Sequence, residues 1–181
     1  MMNSLQALNN NFEVQQNLYF TLSDNKYAIP LENVLEVMKL PALDYPQKLP
    51  NNIIGVLKFN NININILDVR FYLDIPVTKY SVNNKLIVVK TDESIFGIVA
   101  DNIENIISFE NSKIERLPFV SDNKIIDSLY HIEEQTVSIL NMYALEQLLR
   151  QGCEVKDVDI KSLFPTDEKS LDILNSRTKY L

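Results

Sequence analysis

The sequence is poor in the residue types that most often carry chemistry. Cys153 is the only cysteine among 181 residues and His131 the only histidine. No disulfide framework and no Cys/His zinc site can be built from that inventory, and a reducing, cytosolic home is expected. A hydrolytic triad would need His131 as its base, yet His131 falls inside a strand pattern with no activated nucleophile beside it. Glycine is confined to Gly55, Gly97 and Gly152, so no glycine-rich loop can cradle a phosphate or dinucleotide. Lys and Arg are outnumbered by Asp and Glu, for a net charge of -7. That balance disfavours a nucleic-acid surface or an anionic membrane, both of which need clustered cations, and favours protein partners. No apolar run reaches the length of a membrane span, and the N-terminal MMNSLQALNNNFEVQQN lacks the basic start and apolar core of a secretory signal. Adjacent acids such as Glu133-Glu134 read as solvated. No catalytic residue, cofactor or metal is expected, and no direct membrane insertion.

What the chain does have is alternation. In Gly55 to Arg70, GVLKFNNININILDVR, the isoleucines Ile62, Ile64 and Ile66 alternate with Asn61, Asn63 and Asn65. At the two-residue period of a strand this sends isoleucine to a core and asparagine to the other face. The pattern breaks at Asn60-Asn61, and asparagine tolerates the left-handed conformations of a tight hairpin turn. Asn17 to Leu22 and Lys26 to Ile29 form a second expected hairpin, with a short helical turn at Leu31 to Asn33 after Pro30. Pro41 to Pro50 is a connecting loop, and Lys85 to Lys90 begins a new strand.

The second half echoes the first. Tyr27-Ala28 answers to Phe96-Gly97, Glu32-Asn33-Val34 to Asp101-Asn102-Ile103, and Val37 to Ile106. Further on, Ile53-Ile54 answers to Ile125-Ile126 and Ile66-Leu67-Asp68 to Ile139-Leu140-Asn141. An offset of roughly seventy residues is too long for a solenoid unit and suits a small barrel of about five strands, so two similar barrels packed together are expected. Gly55 and Gly97 inside strand patterns signal a bulge or the close approach of another backbone. Asp68 and Arg70 read as a structural pair at the end of their strand.

After Leu140, Leu145, Leu148 and Leu149 form one helical stripe with Gly152 as its stop. Three regions follow: a loosely ordered arm over residues 1–16, the domain over 17–152, and an extension over 153–181. In that extension Thr166 is placed to cap a helix carrying Leu171 and Leu174, a partner-docking or self-docking element.

Four stretches in order, YFTLSDNKYAIPLENVLEVMKL, LPNNIIGVLKFNNININILDVR, LIVVKTDESIFGIVADNIENII and SILNMYALEQLL, resemble the CheW-like domain of bacterial chemotaxis adaptors, which recurs as the regulatory domain of CheA-type histidine kinases. The resemblance covers about residues 17 to 150. It implies a mainly β fold of two intertwined SH3-like five-stranded β-barrels related by a pseudo-two-fold, with a C-terminal helix and a helical tail. It also implies a non-enzymatic, cytoplasmic adaptor or scaffold, recruited to membrane-associated receptor arrays, that joins chemoreceptor cytoplasmic tips to the kinase regulatory domain. A CheW-like scaffold or regulatory fragment of a non-chemotaxis two-component system is the alternative.

Carried over position by position, the resemblance places receptor binding at Val34, Glu36, Gly97, Ile103 and Ile106, with Asn60 at the site of a family arginine. Kinase binding falls on barrel-end surface around Gly55, Lys58, Phe59, Asn61 and Ile62. The family usually reads asparagine-leucine-arginine-glycine where this chain has Lys58-Phe59-Asn60-Asn61. Asn61 keeps the turn conformation accessible, whereas Asn60 removes a cation expected to pair with Glu36, which points to a dedicated partner.

Overall fold

The computed structural model describes residues 14–46, 49–50, 53–118, 125–151 and 160–163. Its strands, in chain order, are β1 (Val14–Leu22), β2 (Asn25–Pro30), β3 (Val34–Lys39), β4 (Ile53–Phe59), β5 (Ile62–Leu67), β6 (Lys85–Lys90), β7 (Ile95–Ala100), β8 (Asn102–Glu110), β9 (Ile114–Arg116), β10 (Ile126–Ile132) and β11 (Gln135–Leu140). One α-helix, α1 (Met142–Gln151), follows. Short 3-10 turns occupy Leu31–Asn33, Val69–Tyr72, Asn111–Lys113 and Ile160–Leu163.

The strands form two sheets, one in the order β8-β1-β2-β11-β10-β9 and the other β3-β6-β7-β5-β4. Each sheet mixes strands from both halves of the sequence. Strand β3 leaves its own half to pair with β6, and β8 returns to pair with β1. The two halves are therefore intertwined by strand exchange, and the repeat read from the sequence is visible in the register. Ile66 opposite Gly97 in the parallel pair β5–β7 corresponds to Ile139 opposite Ala28 in β11–β2. Val34 opposite Val89 corresponds to Ile103 opposite Phe20, and both strands slip register immediately afterwards. Asp68 accepts a hydrogen bond from the Arg70 N–H and starts a 3-10 turn; its counterpart Asn141 accepts from the Ala144 N–H and caps α1.

Several expectations need adjustment. By ladder position Ile53 pairs with Leu67 and Ile126 with Leu140, so Ile53 corresponds to Ile126, one residue beyond the match suggested by the sequence. Strand β1 begins at Val14, where pairing with Glu110 extends it past its aromatic core. The first sheet has six strands because β9 adds an outer strand to β10; in the second sheet the same position is held by a single bridge, Asp44 to Val56. Residues 1–13, Cys153, the stop at Gly152 and the helix expected from Thr166 lie outside the described residues.

Three apolar clusters sit inside this frame. The six-stranded sheet curls over Tyr19, Ala28, Phe109, Tyr130, Val137 and Ile139, here barrel A. The five-stranded sheet curls over a cluster that includes Ile54, Leu57, Ile64, Ile66, Leu86 and Val88, here barrel B. Between them a shared cluster takes Phe20, Leu22, Ile29 and Val69 together with Val89, Phe96, Ile98 and the α1 residues Leu145 and Leu148. Alternation explains the division. Within β1, Leu18, Phe20 and Leu22 face the shared cluster while Tyr19 faces barrel A.

Candidate functional site: partner-docking surfaces

At the junction of the halves lies a buried polar network. The Arg70 guanidinium, 1% exposed, donates from Nε and Nη2 to both oxygens of Asp68, itself fully buried, and from Nη1 to Asp101 Oδ1 at 3.2 Å. Tyr80 donates its hydroxyl to Asp68 Oδ2 at 2.7 Å, and Asn84 Nδ2 donates to Asp101 Oδ1 at 2.9 Å. Asp101 Oδ2 also accepts from the Ser23 N–H in the β1–β2 turn. Burial works against the Arg70 charge, but the hydrogen bond and charge of Asp68, helped by Asp101, outweigh it and hold the guanidinium above its ordinary value. Burial, and then the Asp68 charge, push the Tyr80 hydroxyl well above the usual tyrosine range. Every charge here faces another protein group, so the network ties the end of β5 to the β7–β8 corner and the β1–β2 turn.

His131, on β10, is exposed and lies between Thr136 Oγ1 at 3.1 Å and Glu115 Oε2 at 3.4 Å. Among the described residues no group of three His, Cys, Asp or Glu is arranged to hold a metal ion, and no helix is long and apolar enough to cross a membrane.

Candidate partner surfaces among the described residues include strand edges and barrel ends. Strands β3 and β8 are edge strands of their sheets. Val34 opens β3 and Ile103 is the second residue of β8, both half-buried against the shared cluster. Three positions on, past the register slip, their counterparts Val37 and Ile106 are 39% and 54% exposed. Glu36 is exposed beside them, and its counterpart is Asn105. Gly97 is not at the surface: an added Cβ would meet Ile66 Cδ1 at 2.5 Å and Leu86 Cδ1 at 2.7 Å, so its part is to let β5 and β6 close in. Asn60 lies apart from this group. Three strands separate β3 from β4 in the sheet, and among the described residues no hydrogen bond or ion pair joins Asn60 to Glu36.

Asn60 and Asn61 form a two-residue hairpin turn with φ of 46° and 66°, the left-handed pair whose twist suits the flanking strands. Around it Lys58 and Asn61 are exposed; Ile62 shares a face with the buried Ile64 and Ile66, yet it is 45% exposed because the hairpin carries it past the end of the barrel. Phe59 is buried, and Gly55 lies at the other end of β4, where Leu43 Cβ would stand 2.6 Å from an added Cβ. The candidate kinase group thus splits into a surface part, Lys58, Asn61 and Ile62, and a supporting part, Gly55 and Phe59.

A model of the CheW-like domain matches residues 16–150. The chain belongs to the CheW-like domain family. The chain is 25% identical over 142 residues to a chemotaxis protein CheW of Helicobacter pylori, covering 78% of this chain and 85% of that protein. A chemotaxis protein CheW of Klebsiella aerogenes is 26% identical over 104 residues, 58% of this chain and 63% of its own. Among solved structures, the scaffolding protein TtCheW of Thermoanaerobacter tengcongensis superposes with a TM-score of 0.70 at 18% identity, over 80% of this chain and all of that one. The last likeness concerns the fold.

The CheW-like domain of this chain carries exposed apolar residues that reading the sequence missed, Leu35, Ile95 and Tyr143 among them. Ile95 opens β7, 36% exposed, on the sheet face that bears Ile62, Ile64 and Ile66. The signal was present: in IFGIVA, Ile95 shares a face with Gly97 and Val99. Its continuity with Ile62 depends on a parallel pairing between strands about thirty residues apart, which no local pattern announces.

Proposed function

We propose that this chain is a non-enzymatic chemotaxis adaptor that couples chemoreceptors to a CheA-type histidine kinase. The observation that carries the reading is the CheW-like match across the whole intertwined body, residues 16–150. The domain then runs over 17–152 with 153–181 as an extension, and the protein acts in the cytoplasm, held at receptor arrays by its partners.

The receptor cytoplasmic tip docks along the apolar edges at Val34, Glu36, Ile103 and Ile106, with Gly97 setting the packing beneath and Asn60 modulating selectivity from the hairpin turn. The kinase regulatory domain takes the barrel-B hairpin end, Lys58, Asn61 and Ile62, supported by Phe59 and Gly55. Exposed isoleucine on an edge strand fits such a role because truncating a central apolar anchor commonly weakens an interface by more than about 1 kcal/mol. Binding of the intact protein to a receptor-tip fragment and to a kinase regulatory domain, measured by calorimetry, tests the proposal. Ile106→Asp should weaken receptor binding by about tenfold or more and leave kinase binding in place, and Ile62→Asp the reverse. Absence of binding to either fragment by the unmodified chain rules the reading out. Asn60→Arg should leave receptor affinity unimproved; tighter binding would argue against a dedicated partner.

A further inference from the structure

Beyond the CheW-like match, the described segment Ile160–Leu163 lies against the domain. The 3-10 turn Ile160–Leu163 lies eight residues past the end of α1. The Leu163 carbonyl accepts a hydrogen bond from the Tyr80 N–H at 2.7 Å, and the half-buried Leu163 side chain packs against the barrel-B cluster. This places it at the barrel end where β5 and β7 finish and β4 and β6 begin, opposite the Asn60-Asn61 turn. Tyr80, Val77, Phe71 and Tyr45 belong to the same cluster.

The pseudo-two-fold supplies a comparison within the molecule. At the matching end of barrel A, Asn17 stands for Leu86, Ser128 for Gly55 and Arg116 for Tyr45. That end is a cavity of about 460 Å³ whose lining includes Gln15, Ile114, Arg116, Ser128, Ile139 and Asn141. Polar side chains there tolerate water. In barrel B Leu86, Gly55 and Tyr45 stand in place of these polar residues, Asn141 is matched by Asp68, which is buried and paired with Arg70 and Tyr80, and the space is closed by Tyr80 and Leu163.

We propose that the segment Ile160–Leu163 is an intramolecular strap: Leu163 occupies the apolar end of barrel B, so that surface is open to an outside molecule only when this segment lifts. The occupant in the free protein is this chain's own segment 160–163. The segment is four residues long and rests on the edge of barrel B through Leu163 and its backbone hydrogen bond to Tyr80, and short elements outside the strand ladders open locally without global unfolding. Release frees the Tyr80 N–H and uncovers the part of the barrel-B cluster under Leu163 while the strand ladders stay intact. The strap is independent of the hairpin-end surface assigned above to the kinase.

Amide hydrogen exchange on the full chain, resolved at Tyr80 and Val99, tests this with Leu163→Ser and Leu163→Met, alongside binding of the apolar-surface dye ANS. Expected for Leu163→Ser are exchange at Tyr80 at least tenfold faster, unchanged exchange at Val99 in β7 and increased dye binding; Leu163→Met should behave as the unmodified chain. Unchanged exchange at Tyr80, or faster exchange without added dye binding, overturns the strap. Acceleration at Tyr80 and Val99 alike, or failure of the serine variant to fold, also overturns it, because Leu163 would then be part of the core itself.

Discussion

Arg70 is the residue on which both halves converge. Its guanidinium joins Asp68, at the end of β5, to Asp101, between β7 and β8, with both oxygens of Asp68 and one of Asp101 as acceptors. Replacing it by alanine leaves the Asp68 carboxylate buried without its counter-ion, and removing one member of a buried pair costs about 3–5 kcal/mol. Urea denaturation of Arg70→Ala should show a loss of that size, whereas Lys113→Ala, which removes an exposed partner of Glu110, should change little. Tyr80, donating to the same Asp68, makes stability fall at high pH. Its folded-state pKa lies above the ordinary value of about 10, so its contribution is complete below pH 10 and declines as pH rises beyond it, where only the unfolded chain ionises. Tyr27 and Tyr45 shift the same way through burial. Denaturation midpoints between pH 8.5 and 11 should fall, and less steeply in Tyr80→Phe; equal slopes would place the effect elsewhere.

At the scale of elements, Asp68 and Asn141 show how equivalent positions of the two halves serve two structures. Asp68 starts a 3-10 turn and Asn141 caps a ten-residue helix. Asn141→Ala should cost about 1 kcal/mol through the lost cap, read as a shift in thermal midpoint, and Asn141→Asp should retain most of it. Much at this scale was legible in the residues: the Asn60-Asn61 turn because asparagine accepts positive φ, the strands because isoleucine and valine alternate, α1 because Leu145 and Leu148 fall on one stripe. Strand β9 was not legible, since IER has no pattern of its own and is a strand only because β10 lies beside it. Nor was the exposure of Ile62, whose alternation is faultless; the barrel ends before its strand does. The candidate docking residues divided similarly. Val34 and Ile103 were found as a repeat, whereas the burial of Gly97 under Ile66 and Leu86 became visible only once β5, β6 and β7 were side by side.

For the whole molecule the governing feature is the exchange of hairpins between halves. Barrel B seats β6 and β7 of the second half between β3 and β5 of the first, and barrel A seats β1 and β2 of the first half between β8 and β11 of the second, so neither half holds a complete sheet. Residues 14–84 and 85–151 expressed separately should each lack cooperative unfolding by circular dichroism, and mixing them should restore a β-sheet spectrum; a folded isolated half would contradict the pairing. The full chain should unfold in one transition. The same exchange has a mechanical reading. The barrels cannot be peeled apart along a packed face, because the ladders of β3 on β6 and β1 on β8 would have to shear together. Anything seated on one barrel is thereby kept at a set spacing and angle from anything seated on the other. Such a body behaves as a gauge block, and the repeat length of whatever it is built into is fixed by its own dimensions.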